Sequence, residues 1–269
     1  MTILAKENSN LNEAFNEGNT SEPLVVELPS GVTFKQKIFI KRDNLTVIGN
    51  GSCLSWDDHN GMKPGFGTGD SATLTIEGSN VSVVNITVEN SFDYWKAKTQ
   101  RDENPSTMMG LQAVAVFISP GSANVSFVKS TLLGWQDTLF TDGVNGFFLD
   151  CTIKGHVDFI FGRSNTTFEN CTIESLGPGY VTAPSTMADQ TEGLVFNKCH
   201  LTCSSNVPAE SVYLARPWHP SGKPGVCSAA RFSCCDFGGH INSALWTTMK
   251  DSKGVLHTPE ESRFVLERI

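Results

Sequence analysis

The chain has 269 residues, enough for one large core or two small ones. With 39% hydrophobic and 18% charged residues, it is neither a disordered acidic chain nor a long charged coiled coil. A formal net charge of −8 argues against nucleic acid as a partner, because phosphate binding needs a basic face. No run of about 18 apolar residues is present to span a membrane.

The opening Met1-Thr-Ile-Leu-Ala-Lys-Glu-Asn lacks the basic and apolar regions of a secretion signal. Taken literally, this predicts a cytoplasmic protein with reduced thiols, or a secreted one if the sequence has been trimmed. Asn10 and Glu13 then resemble a capping box, Leu11, Ala14 and Phe15 form one face, and Gly18 can end the helix.

Beyond this point the chain repeats itself. The segments Val84-Asn-Ile-Thr-Val88, Lys129-Ser-Thr-Leu132, Asp150-Cys-Thr-Ile153, Asn170-Cys-Thr-Ile173, Lys198-Cys-His-Leu201 and Cys234-Cys-Asp-Phe237 share one pattern. A small or apolar residue (Ile86, Ser130, Cys151, Cys171, Cys199, Cys235) is followed two positions later by a larger apolar one. In the middle of the chain, neighbouring members lie 21 and 20 residues apart. The spacing then widens to 28 and 36, where inserted loops would fall. Alternation with period two and a repeat near 20 residues predict short strands joined by turns, stacked as a solenoid. Such strands pair in parallel with their successors, about 4.8 Å apart, which makes a parallel β-helix. Asn44, Asn80, Asn85, Asn124, Asn165 and Asn170 are expected in turns, where Asn tolerates unusual backbone angles.

No linker divides the chain, so a single domain over 1–269 is expected. Its fold class is all-β, with short capping helices at both termini. Thr258-Pro-Glu-Glu261 reads as the start of the second cap. Eight Cys are too sparse for a disulfide scaffold, although a Cys151–Cys171 bridge between coils would suit an oxidising compartment. Cys199-His-Leu-Thr-Cys203 has ligand-like spacing but lacks a fourth ligand, so it reads as strand and turn.

Chemistry concentrates in two acidic motifs, Gly134-Trp-Gln-Asp137-Thr-Leu-Phe140 and Gly155-His-Val-Asp158-Phe-Ile-Phe-Gly162. Asp137 and Asp158 are 21 residues apart, one local coil, so the repeat makes them neighbours on the outer face. Carboxylates about 5–8 Å apart repel by roughly 2–3 kcal/mol at an effective dielectric near 20, enough to keep one protonated. That suits an acid paired with a nucleophile or base. A cation is needed to choose between them, and Arg216 follows the strand-like Ser-Val-Tyr-Leu run and precedes Pro217-Trp218. Trp218 is the kind of surface on which a sugar ring stacks.

These residues resemble the pectin methylesterases, aspartyl carbohydrate esterases built on a right-handed parallel β-helix. The similarity runs from about Pro29-Ser-Gly31 to Trp246. It rests on four motifs in the family's order: Leu111-Gln-Ala-Val-Ala115, Gln136-Asp-Thr-Leu139, Asp158-Phe-Ile-Phe-Gly162 and Leu214-Ala-Arg-Pro-Trp218. The resemblance implies Asp158 as nucleophile, Asp137 as general acid and then base, and Gln112 and Gln136 as the oxyanion hole. It implies that Arg216 orients Asp158, that Trp218 contacts the galacturonate chain, and that Val157, Phe161 and Phe140 line subsites. It further implies no metal or organic cofactor, a monomer, and methyl-esterified polygalacturonate or oligogalacturonides as substrate. Four departures bear on subsite preference: Ala215 for the usual Gly, Phe140 for Tyr, Pro184 for Gln, and a degraded early motif at Gly31-Val-Thr-Phe34. Three other readings stand beside it: a polyuronide-binding β-helix without activity, a polyuronate lyase or hydrolase, and an esterase or thioesterase of another acyl group.

Overall fold

The structure is a computed structural model that describes residues 1–105 and 110–267. The short alternating strands stack coil on coil in parallel, as the repeat requires. Among the described residues, one face is a ten-stranded sheet running from Thr2–Leu4 to Arg263–Glu267. A thirteen-stranded sheet supplies the remaining two faces, which are joined because Thr152–Gly162 and Thr172–Pro184 run through both. The register follows the sequence repeat residue by residue: Thr87, Thr131, Thr152, Thr172, His200 and Asp236 are successive partners.

The corner before each of these strands is left-handed. Asn85, Lys129, Asp150, Asn170, Lys198 and Cys234 all have φ of 50–53°. A second left-handed corner holds Asn44, Asn80, Asn124 and Asn145, where a short polar side chain lowers the steric penalty. There the side chains bond each other up the stack, Asn80 Nδ2 donating to Asn44 Oδ1 at 3.2 Å and Asn124 Nδ2 to Asn80 Oδ1 at 3.0 Å. Asn165 instead heads strand Thr166–Glu169 and does not adopt positive φ.

Inward residues form continuous columns. Phe127, Phe148, Phe168, Phe196 and Phe232 stack with ring centroids 4.5–5.1 Å apart. Val88, Leu132, Ile153, Ile173 and Leu201 make a second buried column. The thiols of Cys151, Cys171 and Cys199 donate to the carbonyls of Phe127, Phe148 and Phe168 in the coil below, at 3.4, 3.5 and 3.4 Å. All eight Cys are free, so Cys151 and Cys171 sit in adjacent coils as packed thiols.

The N-terminal cap is helix α1, Leu11–Phe15, which buries Leu11 and Phe15 over the first coil. Asn10 accepts from the Asn12 amide, while its Nδ2 donates to Glu13. The helix ends at Asn16 rather than Gly18 because the Asn16 side chain bonds both Phe39 O and Lys41 N. The expected C-terminal helix does not extend past its first turn. Thr258 and Glu261 do form their capping box, but Pro259–Glu261 makes only one 3-10 turn. The following Arg263-Phe-Val-Leu-Glu267 is drawn into a strand by the exposed edge of Ala229–Ser233, with Phe264 and Leu266 on the core side and Val265 outward. Trp246, Phe264 and Leu266 pack over the last coil in place of a helix. A second helix not expected from sequence, α2, covers Tyr94–Glu103 and is capped by Asp93. No helix among the described residues is long and apolar enough to cross a membrane.

Helix α2 brings Tyr94 and Trp95 against Trp135 and His156. His156 is 3% exposed, its Nδ1 has no hydrogen-bond partner among the described residues, and burial pushes its pKa from 6.5 down to about 4. As pH falls below 6.5 the unfolded chain protonates here while the folded chain does not until about 4. Folding free energy should therefore drop across that window by about 3 kcal/mol from this residue. His156→Phe should flatten the fall in urea-unfolding free energy between pH 7 and 4, and an unchanged pH slope would contradict this. Phe168 is fully buried between Phe148 and Phe196, so Phe168→Ala should cost about 3–5 kcal/mol in the same assay.

Candidate active site

The two acids are placed by the stacking itself. Gln136 is bridged to Val157, and the Asp137 amide donates to Val157 O at 3.1 Å, which sets Asp137 beside Asp158 one coil on. Both aspartates have positive φ, 67° at Asp137 and 50° at Asp158. Left-handed backbone costs roughly 1–2 kcal/mol for most residues and less for Asp. Its effect in strand Thr152–Gly162 is to break the alternation. Pairing with Thr172–Pro184 slips between Gly155 and Val157 and again between Val157 and Ile160. As a result Phe159 and Ile160 are both core residues, while Asp158 and Phe161 line a surface cleft. Gly155 is required beneath this bend, because a Cβ there would lie 2.2 Å from Phe159 Cβ.

Arg216 reaches Asp158 from strand Val212–Ala215, whose pairing with Thr172–Pro184 is extended by the Arg216 amide on Thr182 O. Its Nε and Nη2 donate to the two carboxylate oxygens of Asp158 at 2.8 and 2.5 Å, a bidentate ion pair. The guanidinium lies over the Tyr180 ring, 3.8 Å from its centroid. Both partners are largely buried, with Asp158 only 7% exposed, so water screens this pair weakly. Asp137 is 8% exposed and lacks such a partner among the described residues. Burial, reinforced by the charge on Asp158, holds its carboxyl well above the ordinary carboxylate range, against the smaller opposing pull of Arg216. The pair is thus divided into an Asp158 clamped by the guanidinium and an Asp137 that holds its proton more tightly than an ordinary carboxyl.

The cleft has a volume of about 250 Å³. Gln112, Gln136, Asp137, Phe140, Asp158, Phe161, Arg216 and Trp218 all contribute to its lining, so eight of the nine residues nominated from sequence converge here. Val157 is the exception. It lies one pairing step away, between Gln136 and Tyr180 in the register, and is not part of the lining. Phe117, Phe140 and Phe161 stack with centroids 4.5 and 4.3 Å apart, and Trp218 meets Phe161 edge-on at 5.5 Å. This aromatic row continues into a groove of about 650 Å³ on one side and a hollow of about 210 Å³ on the other.

Sequence reasoning missed Thr68, Ala183 and Met249 in the lining. Thr68 belongs to the Gly65-Phe-Gly-Thr-Gly69 loop and Met249 to a two-stranded hairpin with Leu256–His257 near the C-terminus. Composition marks the first as a loop, and nothing in the sequence ties the second to the site. The departures from the family pattern fall unevenly. Ala215 and Phe34 are buried core residues, whereas Phe140 faces the cleft. Pro184 acts through its carbonyl, which accepts from Trp218 N and Ser228 Oγ. The Cys199-His-Leu-Thr-Cys203 residues diverge. Cys199 points into the core column, and His200 is exposed and pairs with Asp236 at 3.0 Å. No cluster of three His, Cys, Asp or Glu side chains among the described residues could hold a metal ion.

Comparison with known proteins agrees with this geometry. The Pectinesterase family model matches residues 6–227. Pectinesterase A of Dickeya chrysanthemi is 33% identical over 91% of this chain and 74% of its own length. The crystal structure of a pectin methylesterase in complex with a hexasaccharide superposes with a TM-score of 0.89 at 30% identity, over 98% of this chain and 87% of that one. The pectin methylesterase of Yersinia enterocolitica gives a TM-score of 0.88 at 31% identity, over 96% and 89%. A parallel β-helix carrying a divided aspartate pair, matched in sequence over most of its length, places this chain in the pectinesterase family of carboxylic ester hydrolases.

Proposed function

We propose that the enzyme hydrolyses C6 methyl esters of galacturonosyl units in pectin or oligogalacturonides, releasing methanol and a free carboxylate. The observation that carries this reading is the bidentate Arg216–Asp158 pair next to a protonated Asp137, on the floor of an aromatic-lined cleft. The guanidinium binds both oxygens of Asp158 and orients it, which suits a nucleophile. Its carboxylate oxygen attacks the ester carbonyl, and the resulting oxyanion is met by the side-chain amides of Gln112 and Gln136, each worth roughly 3 kcal/mol as a donor. Asp137 gives its proton to the departing methoxide, leaving an anhydride between Asp158 and the sugar. Asp137, now charged, takes a proton from water, and the hydroxide formed opens the anhydride. Product leaves as the acid, Asp158 is again a carboxylate, and Asp137 again holds its proton.

The setting favours neutral sugar units. In the 650 Å³ groove beside the site Lys37 pairs with Asp58 and Arg163 with Asp142, which leaves Asp70 and Glu77 against Lys63, on a chain of net charge −8. Such a wall repels free galacturonate carboxylates and accepts methylated ones.

Asp158→Ala and Asp137→Ala should each lower methanol release from methylated oligogalacturonides by roughly 10³–10⁴-fold. Turnover near the wild-type rate in either variant would contradict the assignment. At low salt the rate on pectin should fall as its methyl content falls faster than ester concentration alone explains, and should recover with added salt. A rate that tracks ester concentration alone at every salt level would remove the electrostatic preference.

A further inference from the structure

An amide side chain can serve an oxyanion only if its nitrogen end faces the cleft, because the oxygen end presents lone pairs to a negative charge. The two ends have nearly the same shape, so packing alone selects poorly between them. Something must bind the oxygen end of Gln112. We propose that Asn60 does so and is a positioning residue for the reaction. Its Nδ2 donates to Gln112 Oε1 at 3.1 Å. That bond holds the oxygen end, and Gln112 Nε2, with no hydrogen-bond partner among the described residues, is the free donor of a side chain that lines the cleft.

The surroundings hold this pair in place. The Asn60 amide donates to Gln112 O at 2.8 Å, so the two residues are joined by main chain as well as side chain. The Ala113 amide continues the ladder to Gln136 O at 3.1 Å, which links both glutamines through one strip of backbone. On the other side, Asn60 O lies 3.0 Å from His59 Nδ1, and the His59 ring stacks on Phe92 at 4.4 Å. Gly110 leaves the space the pair occupies. A Cβ there would come within 2.6 Å of Gln112 Oε1 and 3.0 Å of Asn60 Nδ2. Asn60 belongs to none of the four motifs and lies outside the cleft lining, so it acts on the reaction through Gln112 alone.

This inference rests on Gln112 serving the oxyanion, and the experiment separates the two. Asn60→Ala, Asn60→Asp, Gln112→Ala and the two double variants are assayed for kcat and KM on methylated oligogalacturonides, with melting temperatures recorded. Gln112→Ala should lose about 10²-fold in kcat. Asn60→Ala frees the amide to turn and should lose about three- to tenfold in kcat with KM within about twofold. Asn60→Asp replaces the donor by an acceptor, draws Gln112 Nε2 away from the cleft, and should approach the loss of Gln112→Ala. Both Asn60 changes should be silent once Gln112 is Ala, because nothing remains to orient. Wild-type kcat in Asn60→Ala and Asn60→Asp, or a loss that persists in the Gln112→Ala background, would overturn the positioning role while leaving the oxyanion role intact. A raised KM with a lowered melting temperature in place of a kcat loss would mark Asn60 as merely structural, and would equally overturn it. Wild-type kcat in Gln112→Ala would overturn both.

Discussion

Asp137 and Asp158 are stacked one coil apart in a cleft that excludes most solvent, where two like charges repel far more strongly than in water. Arg216 resolves the conflict by clamping Asp158 with two parallel hydrogen bonds, while burial and the charge on Asp158 make Asp137 hold its proton more tightly than an ordinary carboxyl. Everything else at the site serves that division. Tyr180 lies against the guanidinium, Gly155 gives room for the bend, and the left-handed backbone at both aspartates turns them out of the core. Remove the arginine and the two carboxyls would compete for one proton with little to distinguish them.

The solenoid is what makes such a site affordable. Each coil repeats the same register, so a residue at a given position is held over its successor by ladder hydrogen bonds rather than by loop conformation. The phenylalanine stack and the aliphatic column fix that register from inside, and the asparagine ladder fixes one corner from outside. Catalytic groups then need only local irregularities in an otherwise regular wall. The two register slips on either side of Val157, the second of which contains Asp158, are such irregularities, and they fall where the chemistry is.

Much of this was legible in the chain. Spacing of 21 residues between Asp137 and Asp158 equals the local coil, so their neighbourhood followed from the repeat alone. The columns through Cys151, Cys171 and Cys199 were equally plain, since period-two alternation survives at every coil. Other features depended on contacts far apart in sequence. Met249 reaches the cleft from a hairpin well beyond the last motif, and Asn60 meets Gln112 across 52 residues. Helix α2 buries only Tyr94 and Ala97, too little to leave an amphipathic signature. At the C-terminus local and global preferences diverge. The capping box at Thr258 and Glu261 favours a helix, but an open sheet edge offers Arg263–Glu267 a row of backbone bonds and wins.

The division of charge between the two acids is open to direct observation. Isotope-labelled aspartate carboxyls can be followed by carbon NMR across a pH titration, with Asp137→Asn used to assign the signal. One carboxyl, that of Asp137, should keep its proton well above the ordinary value of about 3.9. Two aspartates titrating together near that ordinary value would contradict the account.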